Sequence, residues 1–345
     1  MNSNISEISF PGLGIGPFEV NNTAFTVFGH PIRWYALIIC LGIIAAVIYV
    51  LYRAKQKNIS TETVMDVTIV TVPIAIIGAR IYYIIFYGVS SFGEIFAIWN
   101  GGLAIYGAII AGALSVMVMC KIKKINFFSF ADMTAPAVML GQLIGRWGNF
   151  MNGEAYGAET DIFCRMGLCN WRTGYRTIYV HPTFLYESLW NLIGFILINI
   201  FYNKRKFNGE VLLWYVGWYG FGRTFIELLR QDSLYLGNIR ISSLLGLLCF
   251  AICLPLVIIL RVKHSQKVKA GVIEKDDICN IGFLLGFDDA KKTEKATDKE
   301  KSDDEIDAES DIVELDDDED ALQKELNKSK AQKTNGEENA DGCDN

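Results

Sequence analysis

Repeated runs of unbroken apolar residues constrain this chain more than any other feature, because a helix needs about 20 mostly apolar residues to cross the roughly 30 Å hydrocarbon core of a bilayer. Seven such segments can be drawn, at 34–52, 64–87, 103–120, 128–150, 183–202, 211–229 and 241–260. The third is broken at its start by Asn100-Gly101-Gly102. The expected fold class is an all-α polytopic membrane protein of about seven transmembrane helices, with a small external head loop and a disordered acidic C-terminal tail.

Charge is distributed to match. The net of −6 averages two unlike parts: 22 Lys+Arg against 13 Asp+Glu up to residue 269, then 10 against 25. The basic groups sit at segment ends, at Arg53/Lys55/Lys57, Lys121/Lys123/Lys124, Lys204/Arg205/Lys206 and Arg261/Lys263/Lys267/Lys269. That placement is no nucleic-acid footprint, and no nucleic-acid partner is expected. The clusters follow the first, third, fifth and seventh segments, so all fall on one side. Positive charge gathers in short cytoplasmic loops, which puts the N-terminus and the loop 152–180 outside and the C-terminus inside, in a multi-pass membrane protein. The organisation expected is a transmembrane domain at 1–265, with 152–180 as its one sizeable external piece, and a tail at 266–345. Runs such as Glu314-Leu315-Asp316-Asp317-Asp318 cannot bury enough apolar surface to offset their ordering entropy.

The cysteines show no metal-ligand spacing, and no metal or other cofactor is expected. Cys40, Cys249 and Cys253 lie in apolar runs, where free cysteine behaves as a small hydrophobe. Cys164 and Cys169 share the external loop, as a disulfide or as two free thiols. The first thirty residues lack a basic start and a cleavage site, so no signal peptide is read there.

The informative residues are ionisable groups within the apolar segments. A charge at mid-helix depth is costly enough that it faces the bundle interior or a cavity. Here these are Arg80, Arg146, Glu187, Arg223 and Glu227, with Asp66 and Asp132 nearer the inner edge. Tyr219, Arg223, Glu227 and Arg230 recur at helical spacing on one face, and Arg223 and Glu227 are spaced to pair. Arg146 and Asn149 share a face, with Asn152, Gly153 and Glu154 following where that helix should end. Thr183, Glu187 and Asn191 repeat at i, i+4, i+8 after a His181-Pro182 start signal. Each polar stripe has a bland alternative, a structural ion pair. Three of them converging in the outer half of a bundle are most simply explained by a cavity for an anionic headgroup, since an arginine fork grips phosphate in two places.

These residues resemble one family, the bacterial prolipoprotein diacylglyceryl transferases. The run Gly145-Arg146-Trp147-Gly148-Asn149-Phe150-Met151-Asn152-Gly153-Glu154-Ala155-Tyr156-Gly157 looks like its signature. His181-Pro182-Thr183 with Leu185-Tyr186-Glu187, and Tyr219-Gly220-Phe221 with Arg223, Glu227 and Arg230, resemble two further elements. Arg33-Trp34-Tyr35 and Gly78-Ala79-Arg80 are similar to the family's first and second membrane helices. The resemblance covers roughly 30–262. It implies transfer of the diacylglyceryl group of phosphatidylglycerol to the lipobox cysteine of a prolipoprotein, through a thioether, with release of glycerol phosphate and no cofactor. The expected partners are phosphatidylglycerol, the prolipoprotein signal peptide with its lipobox cysteine, and membrane lipid.

The resemblance assigns catalysis to Arg146 and Arg223. Where many relatives have a histidine after a Gly-Gly pair, this chain has Tyr106, which becomes a third catalytic candidate. Tyr35, Asn149, Glu154, His181, Tyr219 and Glu227 join Arg146 as expected substrate-binding residues. The nucleophile comes with the substrate, as a thiol that must lose its proton. Four groups stand as its acceptor: Tyr106, His181, Glu154 and the departing phosphate. The rival classes are a lipid or small-anion transporter, which would more often show internal repeats, and an intramembrane protease, for which no G-x-S-x-G or membrane-embedded H-E-x-x-H is present.

Overall fold

The computed structural model describes residues 4–88, 91–96, 101–231, 235–236 and 239–286. They belong to one compact unit, 1–294; the second unit, 295–345, and with it the expected disorder of the acidic run, lies outside the described residues.

Every drawn membrane segment is a helix. The long ones are α1 (Trp34–Lys55), α2 (Thr61–Tyr87), α4 (Ile105–Ile122), α5 (Phe127–Asn152), α6 (Thr183–Phe201), α7 (Glu210–Leu229) and α8 (Ile241–Lys269), with short helices α3 (Phe92–Phe96) and α9 (Ile281–Leu285) between and after them. Six are long and apolar enough to cross a membrane, so the chain is a multi-pass membrane protein. The exception is α7, whose 20 residues include Glu210, Arg223, Glu227 and several Trp, Tyr and Gly residues. It packs against α5, α6 and α8, which cover its polar side. Half of the apolar span of α5 is buried, against 11% for α1 and α2, so α5 is central and the outer helices present Ile44, Ile48, Ile77 and Ile85 to lipid.

Close helix contacts occur where small residues allow them. A Cβ on Gly78 of α2 would lie 2.9 Å from the carbonyl oxygen of Gly107 on α4, and Thr71 and Ser115 share a hydrogen bond of 3.1 Å along the same seam. Helices α7 and α8 approach in the same way, Gly220 against Gly246. Between α6 and α7, Trp190 and Trp218 stack with centroids 4.3 Å apart, and each indole Nε1–H donates to the other residue's carbonyl at 3.0 Å. Each ring lies over a glycine of the facing helix, Gly222 and Gly194.

The expected cationic clusters meet at one end of the bundle. Arg53 donates to Asn199 and Tyr49, Lys57 to Ser129, and Lys123 pairs with Asp66. The Asp132 carboxylate of α5 accepts from Gly209 N at 2.9 Å and Leu212 N at 3.0 Å, capping α7 with the favourable sign of charge. Buried Glu210 is matched by Arg261 of α8 at 2.5 Å. This is the basic end.

The opposite end carries structure that the sequence reading did not foresee. Strands β1 (Ile5–Phe10) and β2 (Ile15–Asn21) join β5 (Met166–Cys169) and β6 (Ile178–Val180) in a four-stranded antiparallel sheet ordered β2-β1-β5-β6. Strands β3 (Thr23–Val27) and β4 (His30–Arg33) pair separately and lead into α1. Ile8, Val20, Met166, Leu168, Val180 and Phe184 close a small core beneath the sheet. The loop 152–180 is therefore not the one sizeable piece at this end, since the N-terminal segment supplies half of the sheet. Cys164 and Cys169 are both free, and Cys169 is fixed in β5 opposite Glu7.

The boundary expected at 265/266 also needs correction. It cuts α8, which runs to Lys269, and the chain then returns to the bundle. Strand β10 (Cys279–Asn280) pairs in parallel with β7 (Phe207–Asn208), while Phe283 and Leu284 of α9 pack with Phe207, Leu260 and Ile273. These apolar side chains fold 279–285 onto the basic end ahead of the acidic run. The remaining short strands, β8 (Tyr235–Leu236) and β9 (Ile239–Arg240), pair just before α8.

Arg80 proves to be a clamp. Its guanidinium, on α2, donates to the carbonyls of Glu94 and Ile95 on one side and of Gly101 and Gly102 on the other, the last two at 2.7 and 2.8 Å. It gathers both ends of the segment joining α3 to α4. Arg80→Leu removes the four hydrogen bonds of this buried side chain and should lower stability by about 3 kcal/mol, read as a fall in unfolding temperature in detergent; an unchanged temperature would deny the clamp its role.

Candidate active site

The site is built on three helices at the sheet end. Helix α5 stops where Gly153 adopts φ 56°, a left-handed conformation that favours glycine, and the residues just before that stop are Arg146, Asn149 and Asn152. Helix α6 starts at Thr183 and brings Glu187 in from its second turn. Helix α7 runs parallel to α5 and delivers Arg223 and Glu227 near its end, with Arg230 as its cap residue.

Glu187 is the hub. Its carboxylate pairs with Arg146 through one oxygen and with Arg223 through the other, and Arg230 stands 3.7 Å away. Arg223 also pairs with Glu227 one turn along, as its spacing predicted. The two carboxylates are almost wholly buried, with side chains 4% and 2% exposed, while Arg146 keeps 21% of its side chain accessible. Three guanidinium groups thus surround two carboxylates, and Arg240 adds a fourth by donating to the Glu227 carbonyl. Arg146 and Arg223 thus share the two oxygens of Glu187. An arginine fork suits a phosphoryl group.

A second chain of contacts leads from Arg146 into the head. Arg146 donates to Asn149 Oδ1 at 3.3 Å, Asn149 donates to Glu154 Oε1 at 3.3 Å, and Asn152 donates to the same oxygen at 3.1 Å. The other oxygen of Glu154 accepts from Arg172 at 3.2 Å. Asn170, fully buried, caps the turn carrying Arg172 and donates to the Gly153 carbonyl, which ties the sheet to the end of α5. A polar cleft opens there, lined by Asn4, Asn22, Arg33, Asn152, Trp171 and Arg172.

Of the expected site residues, Arg146, Arg223 and Glu227 form the cluster, and Asn149 and Glu154 form the relay beside it. Tyr35 lies flat on Gly148, where a Cβ would stand 2.8 Å from the ring, within the electrostatic reach of Glu154 and Arg146. Three others make their described contacts elsewhere. Tyr106 reaches Ser242 of α8 at 3.3 Å, with its ring against Tyr82. His181 shares a hydrogen bond with Tyr186 at 3.3 Å, and desolvation holds its pKa below the usual histidine value. Tyr219 stacks on Tyr215, one turn from Arg223.

Two residues carry more than their sequence positions announced. Glu187 read as one member of a polar stripe, and only the folded bundle shows three helices meeting on it. Arg172 sits in a loop without periodicity, so nothing in the sequence marked its pairing with Glu154.

Fold and site together define an integral membrane protein whose helices bury a cationic centre beneath a small extramembrane sheet. Comparison with known proteins is specific on this point. The family model described as prolipoprotein diacylglyceryl transferase matches residues 22–259. A phosphatidylglycerol–prolipoprotein diacylglyceryl transferase of Listeria welshimeri is 42% identical over 262 residues, spanning 73% of this chain and 94% of its own. The enzyme of the same name from Finegoldia magna is 43% identical, covering 72% and 98%, and that of Streptococcus pneumoniae strain JJA is 47% identical, covering 66% and 89%. The chain belongs to the prolipoprotein diacylglyceryl transferase family.

Removing the hub carboxylate leaves buried guanidinium groups uncompensated. Glu187→Gln should lower stability by about 3–5 kcal/mol, against less than about 0.5 kcal/mol for Glu62→Gln at the exposed start of α2; equal unfolding temperatures for the two variants would remove Glu187 from its central place.

Proposed function

We propose that this chain transfers the diacylglyceryl group of phosphatidylglycerol to the lipobox cysteine of a prolipoprotein, the first step of bacterial lipoprotein maturation. Membership of the family supports the reaction class. The observation that carries the site assignment is the convergence of Arg146 and Arg223 on the two oxygens of Glu187, with Arg146 still 21% exposed.

In this reading the phosphate of phosphatidylglycerol lies against Arg146 and Arg223. The cysteine sulfur attacks the glyceryl carbon that bears the phosphate ester. A carbon–sulfur bond forms, the carbon–oxygen bond breaks, and its electron pair leaves on glycerol phosphate. The guanidinium groups neutralise charge gathering on the leaving oxygen, and the same field favours thiolate over thiol. Glu187 and Glu227 hold the arginine forks in place. Tyr35 and Asn149 border the headgroup, and no cofactor takes part.

For the thiol proton, Glu154 is the best supported acceptor. It is linked to Arg146 through Asn149 alone, and its side chain is 26% exposed where that of Glu187, paired directly with Arg146, is buried. The hydroxyl of Tyr106 is engaged with Ser242, and the His181 imidazole with Tyr186.

The distribution of Lys and Arg supports a topology with the sheet end outside and the basic end in the cytoplasm of a bacterial plasma membrane. Glycerol phosphate then leaves on the outer side, and the C-terminus is cytoplasmic.

The decisive assay incubates membranes with labelled phosphatidylglycerol and a lipobox peptide. Arg146→Ala should insert normally and lose at least about 10²–10³-fold in transfer; retained transfer would sink the assignment, and no label on the peptide with the wild-type chain would sink the reaction. Tyr106→Phe should stay within about fivefold of wild type, the worth of one neutral hydrogen bond. A larger loss would give that hydroxyl a part in the chemistry.

A further inference from the structure

One buried layer of the bundle has no task in the reaction as described. Arg146, Glu187 and Arg223 lie on α5, α6 and α7, and α6 runs opposite to the other two. One turn toward the basic end from each stand Gln142, Asn191 and Tyr219, about 6 Å deeper along the axes. A charged layer is thus backed by an uncharged polar one.

Asn191 is 0% exposed, and neither its Nδ2 nor its Oδ1 has a hydrogen-bond partner among the described residues. Gln142 spends its Nε2–H on Tyr215 Oη at 3.0 Å and leaves Oε1 unmatched. Neighbouring Ser188 satisfies itself on the Leu143 carbonyl, so α6 finds partners across this seam where it needs them. A carboxamide buried unmatched in hydrocarbon is expensive and calls for an explanation. Joining helices is the usual one, and it fails here because no bond is made.

The depth and chemistry of the layer match the next part of the lipid. Only a few covalent bonds inward from its phosphate, a phosphoglycerolipid presents ester carbonyls, which are uncharged acceptors. With the phosphate on Arg146 and Arg223, those carbonyls fall at the level of Asn191. We propose that Asn191 is a positioning residue that donates its Nδ2–H to an ester carbonyl of the lipid substrate, and so holds the glyceryl carbon in line for attack. This rests on the transferase reading and adds a specificity to it, for ester-linked over ether-linked lipid.

The test compares diester phosphatidylglycerol with its dialkyl ether counterpart, using the full chain in detergent and a lipobox peptide. Asn191→Leu, which keeps the branched shape, should lose roughly tenfold in kcat/KM on the diester lipid and match wild type on the diether lipid, where the acceptor is missing. Its unfolding temperature should hold or rise, since an unmatched amide has been removed. Equal losses on both lipids, or no loss on the diester, overturn the proposal, and a lowered unfolding temperature with equal losses gives Asn191 a packing role instead. Asn191→Ala reads the same ratio should the leucine variant fail to insert. A wild-type chain that transfers neither lipid overturns the transferase reading itself.

Discussion

A single carboxylate holds the functional half of this bundle together. Glu187 is buried in a protein interior that lipid surrounds, where a lone charge is untenable. It persists because Arg146 comes to it from α5 and Arg223 from α7, with Arg230 nearby. Each arginine is equally unstable at that depth without the carboxylate. The pairing is therefore mutual, and it fixes three helices in rotation and in height. The Trp190–Trp218 stack does the mechanical part, because two indoles lying over glycines set the α6–α7 spacing at which Glu187 and Arg223 can meet. A buried ion pair is weak evidence for stability on its own. Here its consequence is a pair of arginine forks held still, Arg146 and Arg223, on the two oxygens of one carboxylate.

The sheet extends that order beyond the helices. Asn170 donates to the Gly153 carbonyl just where α5 ends, so the head is bolted to the helix that carries Arg146. Arg172 completes the connection by pairing with Glu154, whose other oxygen receives Asn149 and Asn152. A displacement of the head changes the surroundings of Arg146 through Glu154 and Asn149. The loop after α5 and the N-terminal strands thus work as part of the site.

Much of this was legible in the sequence, for physical reasons that also mark the limits. The spans were readable because hydrocarbon demands long apolar runs, and even α7, the most polar, was drawn at 211–229 from its apolar ends. The stripe Arg223/Glu227 was readable because α-helical spacing converts directly into contact. The strands β1 and β2 were not, since they are short, flank no periodic core, and take their meaning from β5, some 160 residues away. Residues 279–285 hid in the same way, as a small apolar patch ahead of an acidic run that dominates the composition. Arg80 looked like Arg146 in sequence, an arginine near the end of an apolar segment beside a glycine. Its partners are backbone carbonyls, which no side-chain pattern records.

Tyr106 bears on how little the chemistry asks of any one proton acceptor. The resemblance placed a histidine of many relatives at this position, where the tyrosine here bonds Ser242. If the reaction depended on strong general-base help from that spot, such an exchange would be hard to accommodate, because a tyrosine hydroxyl is a far weaker base than imidazole at neutral pH. It is compatible with a mechanism whose main barrier is charge gathering on a phosphate ester oxygen, which a cationic centre relieves directly. In the proposed reaction the substrate brings its own nucleophile, and the field of the same arginines would favour its thiolate. In that reading the bundle must preserve the geometry of Arg146 and Arg223 about Glu187, while the Tyr106 hydroxyl is spent on Ser242.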